Sequence, residues 1–179
     1  SFSRSTNALF AAAAYKRMSG LGPLGLGGIY RVTNILDTAG DMNPAADTAV
    51  EQWLDIEDLG IDVGSSVIPS RDLTVSETAL IEEAHAFENA LKLGIGGFAL
   101  DDDLQILYFV NLYDERIYGI SFADPANPTV VGDWATPATD PADGKRAHAL
   151  SFRQGSLYVG YVDTGEAAPF NTMTNGESF

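Results

Sequence analysis

The sequence predicts an all-β fold: a partial β-propeller of about two to three blades of antiparallel meander, with one helix inserted near residues 76–92. Three observations support this prediction. The stretch from Gly94 to Phe122 alternates apolar segments with acidic and polar turns, as one propeller blade does. A similar pattern recurs further along the chain, and the stretch Ser70–Leu93 has the apolar spacing of a helix.

Charge and composition exclude several classes of function. The 179 residues are 45% hydrophobic and carry a formal net charge of −15, so a folded acidic domain is expected. Such a surface repels the phosphates of nucleic acid, while it suits solubility or divalent-cation binding. The absence of cysteine excludes disulfides and thiol chemistry. No apolar run reaches the about 18 residues that a membrane-spanning helix needs.

Strands separated by loops are predicted for the first part of the chain. Ser1–Tyr15 contains an Ala-rich run that favours helix by propensity. A strand is predicted there instead, because its Leu-Phe pair resembles the pairs that open later strands. The glycines of Arg17–Gly28 lack the spacing of a phosphate-binding loop and indicate a turn-rich connection. Ile29–Ile35 and Val50–Leu54 are the next predicted strands.

A single helix is predicted over Ser70–Leu93. Thr74 and Glu77 have the spacing of a capping box at its start, and Gly94 is placed to end it. Its apolar residues recur on one face at Leu80, Ala84, Phe87 and Leu91. The helix is interpreted as an insertion, residues 70–93, between two blades.

The blade-like stretch begins with a small-residue strand, Gly94–Leu100, followed by the acidic turn Asp101–Asp103. The strands Leu104–Leu112 and Ile117–Phe122 complete its meander. Three later segments also have strand character: Thr129–Trp134, Lys145–Phe152 and Ser156–Val162.

Internal repetition supports the propeller prediction. The segments that begin at Asn7, Gln105 and Gly155 each contain a polar turn, an aliphatic-aromatic pair and then small or β-branched residues. Leu107 and Leu157 are about 50 residues apart, which is the length of one blade. A closed propeller needs about four or more blades. Residues 1–179 are therefore expected to be a single propeller-like domain that is a fragment or is completed by other segments or chains.

Four motifs resemble the propeller-like head of bacterial SD-repeat, SdrD B-like cell-surface proteins. They are GLGPLGLGGIY from Gly20, WLDIEDLGIDVG from Trp53, LYFVNLYDERIYGI from Leu107 and RAHALSFRQGSLYVGYV from Arg146. The resemblance implies a secreted or surface-anchored bacterial protein and a propeller architecture, and it implies little about chemistry.

Candidate site residues follow from local charge and from aromatic side chains. Asp101, Asp102 and Asp103 are interpreted either as a calcium site at a propeller loop or as a hairpin turn held by aspartate side chains. Asp55–Gly64 has the glycine of a helix-flanked calcium loop but Leu59 at a ligand position, so it does not match that loop. A less regular oxygen-ligand site in this segment stays an alternative. No catalytic residue is predicted, since the chain has no nucleophile elbow. The candidate interaction anchors are Trp53, Trp134, Tyr113 and Tyr161, and each of them is interpreted either as an anchor or as a core residue.

Three functional hypotheses follow. The first is a non-enzymatic extracellular or cell-surface module for adhesion, surface display or assembly, with a protein or glycan ligand. The second is a calcium-dependent propeller hydrolase or lactonase. The third is a structural subunit of a filament or sheath, in which neighbouring chains complete the sheets.

Overall fold

The computed structural model of the chain describes residues 1–15, 21–37, 39–41, 48–67, 89–136 and 144–163. These residues contain the strands β1 (Phe2–Ser3), β2 (Ala8–Ala12), β3 (Gly28–Thr33), β4 (Ala49–Asp55), β5 (Ile95–Asp101), β6 (Ile106–Asn111), β7 (Arg116–Ser121), β8 (Thr129–Ala135), β9 (Lys145–Arg153) and β10 (Ser156–Asp163). Short 3-10 helices at Ile56–Leu59 and Ser65–Val67 follow β4. The predicted all-β class is confirmed for this part of the chain.

The strands form three antiparallel sheets, of which two are four-stranded meanders and one is a hairpin. Sheet 1 has the order β1–β2–β3–β4, sheet 2 the order β5–β6–β7–β8, and sheet 3 consists of β9 and β10. Within each sheet, strands that are neighbours in space also follow one another in the chain, and every pair is antiparallel. Sheet 2 contains the predicted blade-like stretch and gains β8 as its outer strand.

The turns before β2, β6 and β10 share an unusual backbone conformation. Asn7, Gln105 and Gly155, which the sequence aligns, have φ angles of 48°, 54° and 74°. Asparagine and glycine tolerate this left-handed region better than most residues. A residue with positive φ lets a short turn match the twist of the two strands that it connects.

The three sheets are stacked face to face with sheet 2 in the middle. One buried cluster lies between sheets 1 and 2 and includes Phe10 and Ile29 from the first with Leu107 and Ile120 from the second. A second cluster lies between sheets 2 and 3 and is built around Val110, Ile117 and Ala147, with Leu150, Leu157 and Val159 packed against it. Both faces of sheet 2 are therefore covered.

Sheets 2 and 3 approach closely where β5 meets β9. A Cβ atom placed on Gly97 would lie 2.7 Å from the carbonyl oxygen of His148, 2.8 Å from Cα of Ala149 and 2.8 Å from the amide nitrogen of Leu150. All three atoms belong to the backbone, so only glycine fits at this position. The small-residue strand predicted at Gly94–Leu100 thus has a packing reason.

The structure refines the predicted element bounds. β5 ends at Asp101, so the turn begins at Asp102, one residue later than predicted. The Ala-rich segment is the strand β2, because pairing with β1 and β3 outweighs its helix propensity. Residues 70–88 of the predicted helix lie outside the described residues. Residues 90–92, at its predicted end, form a turn that leads to β5.

Candidate functional site

The acidic turn divides its carboxylates between different partners. Asp101 is buried, and its Oδ1 accepts hydrogen bonds from the backbone amides of Asp103 and Leu104, both at 3.1 Å. Aspartate commonly closes a strand reversal in this way. Asp103 is exposed. The hairpin-turn interpretation therefore describes Asp101, whereas Asp102 has a different role.

Asp102 joins sheet 2 to the N-terminal segment. Its Oδ1 accepts from the hydroxyls of Ser3 at 2.5 Å and Ser5 at 2.7 Å, while its Oδ2 accepts from the amides of Arg4 at 3.0 Å and Ser5 at 3.1 Å. Burial alone would raise the pKa of Asp102, but these hydrogen bonds stabilise the charged form and hold its pKa below the ordinary value. The carboxylate thus fixes residues 3–5 against the turn between β5 and β6.

The terminal residue adds a second link between the first two sheets. The Ser1 amino group donates to the carbonyl oxygen of Phe10 at 2.9 Å, and its hydroxyl donates to the carbonyl oxygen of Phe98 at 3.3 Å. Partial burial lowers the pKa of this amino group. The start of β1 therefore lies beside β5, as β9 does on the other side of sheet 2.

Among the described residues, no group of three or more histidine, aspartate and glutamate side chains is placed to hold a metal ion. The acidic segment 55–64 directs two carboxylates to nearby backbone: Asp55 accepts from the amide of Glu57 at 3.1 Å, and Asp62 from the amide of Gly64 at 2.8 Å. Calcium binding at Asp101–Asp103 stays a prediction. An ion there would compete with the hydrogen bonds of Asp101 and Asp102.

The predicted aromatic anchors lie on four different elements. Trp53 is half-buried in β4, where its ring meets Phe10 at a centroid distance of 5.0 Å and its Nε1 donates to the carbonyl oxygen of Pro125 at 2.8 Å. Trp134 in β8, Tyr113 in the turn after β6 and Tyr161 in β10 are exposed. Trp53 belongs mainly to the core, and the role of the other three as anchors stays a prediction.

A regular arrangement of side chains relates the three sheets. Leu9, Leu107 and Leu157 align in the sequence, and each is followed by an aromatic residue: Phe10, Tyr108 and Tyr158, respectively. Successive side chains of a strand point to opposite sides of its sheet. Each sheet therefore has a leucine face, which carries the aligned leucine, and an aromatic face, which carries the residue after it.

The aligned leucine belongs to an apolar row that crosses its sheet, because directly opposite residues share a face. The rows are Phe2, Leu9, Val32 and Val50 in sheet 1, Leu100, Leu107, Ile120 and Val130 in sheet 2, and Phe152 and Leu157 in sheet 3. Every member of these rows is leucine, isoleucine, valine or phenylalanine. The equivalence therefore extends beyond the aligned strands to one row across each sheet.

These faces pair in the same order at both contacts within the chain. The aromatic face of sheet 1 packs on the leucine face of sheet 2, where Phe10 lies 5.1 Å from Phe122, measured between ring centroids, and Leu107 is fully buried. The aromatic face of sheet 2 packs on the leucine face of sheet 3, where the Tyr108 and Phe152 rings stack at 5.8 Å. Two faces, one at each end of the stack, are covered by no other sheet among the described residues.

These two open faces form the candidate interaction site. On the leucine face of sheet 1, Leu9 is 37% exposed and Val50 is 73% exposed. On the aromatic face of sheet 3, Tyr158 is 57% exposed. Sequence reasoning missed these residues as site candidates, although the alignment of Leu9 with the buried Leu107 was the signal that could have found them.

Comparisons of the chain with protein-family models, with curated proteins and with solved structures give no match. The resemblance to SD-repeat cell-surface proteins therefore rests on the four sequence motifs alone. In the part of the chain that the structure describes, no helix is both long enough and apolar enough to cross a membrane.

Proposed function

We propose that the chain is a non-enzymatic β-propeller module that acts outside a bacterial cell in adhesion, surface display or assembly. The observation that carries the proposal is the repeated pairing of an aromatic face with the leucine face of the next sheet. Propellers are built by such radial repetition of four-stranded meanders. The sheets of this chain correspond to successive blades in that architecture.

The placement of the first strands supports the same architecture. The Ser1 hydroxyl contacts the carbonyl oxygen of Phe98 in β5, and the backbone around His148 and Ala149 in β9 lies over Gly97 on the same strand. The first strands of the three sheets are therefore neighbours. In a propeller these strands surround the central channel, where blades are closest together.

The partners of Asp101 and Asp102 bear on the alternative of a calcium-dependent hydrolase that uses this turn. A calcium-dependent hydrolase requires several carboxylate oxygens directed at one ion. Asp101 instead bonds to its own turn, and Asp102 bonds to residues 3–5. A location outside the cell is proposed from the resemblance of the sequence motifs.

Binding and turnover measurements on the same sample test the proposal. The labelled chain is applied to arrays of extracellular-matrix proteins and glycans, with calcium and with a chelator. We expect binding to at least one ligand that weakens in Tyr113→Ala or Trp134→Ala and is unchanged in Leu104→Ala. Leu104 is the matched control, because it is a large apolar residue, 66% exposed, in the turn after β5.

Lactone and phosphoester substrates are supplied to the same preparation with calcium. Calcium-dependent turnover that disappears in Asp102→Ala would overturn the non-enzymatic proposal. A location outside the cell is tested by brief protease treatment of intact source cells. The treatment should remove the epitope that an antibody against this chain recognises. Protection of the epitope until the cells are lysed would contradict that location.

A further inference from the structure

We infer that the two open faces bind each other between two copies of this chain, with the aromatic face of sheet 3 in one copy packed on the leucine face of sheet 1 in the other. The inference rests on the proposed propeller and names its partner. It depends on two observations: the leucine rows of the three sheets are equivalent in position and residue type, and the row of sheet 1 is exposed at Leu9 and Val50.

The contacts inside the chain specify the chemistry of whatever covers each open face. In the leucine row of sheet 2, Leu107 and Ile120 are covered by a face that carries Phe10, and the leucine row of sheet 3 packs on a face that carries Tyr108. The row of sheet 1 should therefore receive a face with an aromatic residue at the same position. Tyr158 is such a residue, and it is exposed.

The residues beside the aromatic position also match. Tyr108 lies opposite Ala99 in β5, and Tyr158 lies opposite Ser151 in β9. A small residue next to the ring leaves room for the leucine row of the neighbouring sheet. Gly160 and Ala149, which lie opposite each other on the same face as Tyr158, keep the surface of sheet 3 similarly shallow.

The arrangement closes with two copies. The described part of each chain supplies three sheets, and no described sheet packs on the outer face at either end of the stack. A head-to-tail contact ends either in a ring or in an open filament, depending on the rotation between copies. Two copies give six sheets, within the range of about four to eight blades found in closed propellers. Two identical contacts then bury all four open faces.

Charge sets the conditions for this association. Each copy has a formal net charge of −15, so two copies repel one another at low ionic strength. Salt screens charges that are exposed and separated by more than about 10 Å at 0.1 M. The dimer should therefore strengthen with added sodium chloride, since its contact is apolar and its repulsion is electrostatic.

Sedimentation velocity of the full chain over a range of concentrations and salt concentrations tests the inference. We expect the mass to rise from 19.0 kDa to twice that value as protein and salt increase. Leu9→Asp and Tyr158→Asp should each weaken dimerisation on the order of tenfold or more, because each places a charge at the centre of the contact. Leu104→Asp, outside both faces, should leave it unchanged.

Mixing the two weakened variants tests the direction of the contact. A head-to-tail pair retains one unmodified contact in the mixture, so mixed dimers should form where neither variant dimerises alone. A chain that stays at 19.0 kDa under all conditions overturns the inference and leaves the array experiment above unaffected. A dimer weakened by Leu9→Asp but not by Tyr158→Asp also overturns it.

Cysteine cross-linking keeps the test valid if an aspartate variant fails to fold. The chain has no cysteine, so Leu9→Cys and Tyr158→Cys introduce single, defined thiols. Oxidation of a mixture of the two variants should give a cross-link between unlike chains. Cross-links only between like chains would place equivalent faces together and contradict the head-to-tail contact.

Discussion

Gly97→Ala is the sharpest test of the contact between sheets 2 and 3. The new methyl group would lie 2.7 to 2.8 Å from three backbone atoms of β9, none of which can rotate away as a side chain could. Overpacking of this kind costs about 1–3 kcal/mol, and rigid surroundings favour the upper part of that range. Alanine also reduces the conformational entropy of the unfolded chain, and this effect offsets about 0.4–1 kcal/mol of the loss. The expected net loss is about 2 kcal/mol.

A thermal melt followed by circular dichroism measures this loss. For a chain of this size, about 2 kcal/mol lowers the melting temperature by roughly 4–8 °C. Amide hydrogen exchange should increase most in β9 and β10, because the added methyl group separates sheet 3 from sheet 2. The melt gives the size of the loss in stability, and hydrogen exchange shows which strands it affects.

Gly132→Ala is the matched control. Gly132 also lies within a strand, but its nearest neighbours are ring atoms of Trp134, the closest at 3.0 Å. That ring is 47% exposed and can move, so the control should stay within about 0.5 kcal/mol of the native chain. Equal stability of the two variants would refute the close approach of β5 and β9.

Two further predictions concern polar groups. Asn111 is fully buried, donates to the carbonyl oxygen of Asp62 at 2.8 Å and accepts from the amide of Tyr113 at 3.0 Å. Asn111→Ala should therefore cost about 1–3 kcal/mol in urea unfolding, since two hydrogen bonds of a fully buried side chain are lost. A loss as small as that of the exposed Asn127→Ala would contradict this account. Asp102 has a lowered pKa, so its stabilisation is present above its ordinary value of 3.8 and is lost as pH falls through the folded-state value. The melting temperatures of the native chain and Asp102→Ala should converge in acid, and a difference that stays constant with pH would contradict this linkage.

Most strands could be predicted from the sequence because their cause is local. β6 is a short, mostly apolar run that follows a polar turn at Gln105, and both features are visible within a few residues of sequence. The strand β2 required comparison with β6, since its alanines by themselves favour helix. The predicted strand ended one residue before β5 does, because aspartate is common in turns whereas Asp101 pairs with Ile106 in the sheet.

The candidate site was only partly predictable. The three adjacent aspartates at Asp101–Asp103 made this turn a candidate site. The partners of Asp102 could not be predicted in the same way, because they lie about a hundred residues away in the sequence, as Ser3 does. Trp53 was a candidate anchor because of its residue type, whereas its position against Phe10 places it mainly in the core. Exposure depends on which sheet lies above a residue, and the local pattern does not contain that information.

The sequence by itself determined the all-β class, the strand and turn pattern, the acidity and the alignment of Leu9, Leu107 and Leu157. These properties follow from residue type and from the period-two alternation of a strand. Only the tertiary structure decided that Leu107 is buried while Leu9 is exposed, because sheet 1 covers the former and no described residue gives the latter a comparable cover. Equivalent residues thus have different surroundings, and that difference identifies the faces through which the chain is proposed to assemble.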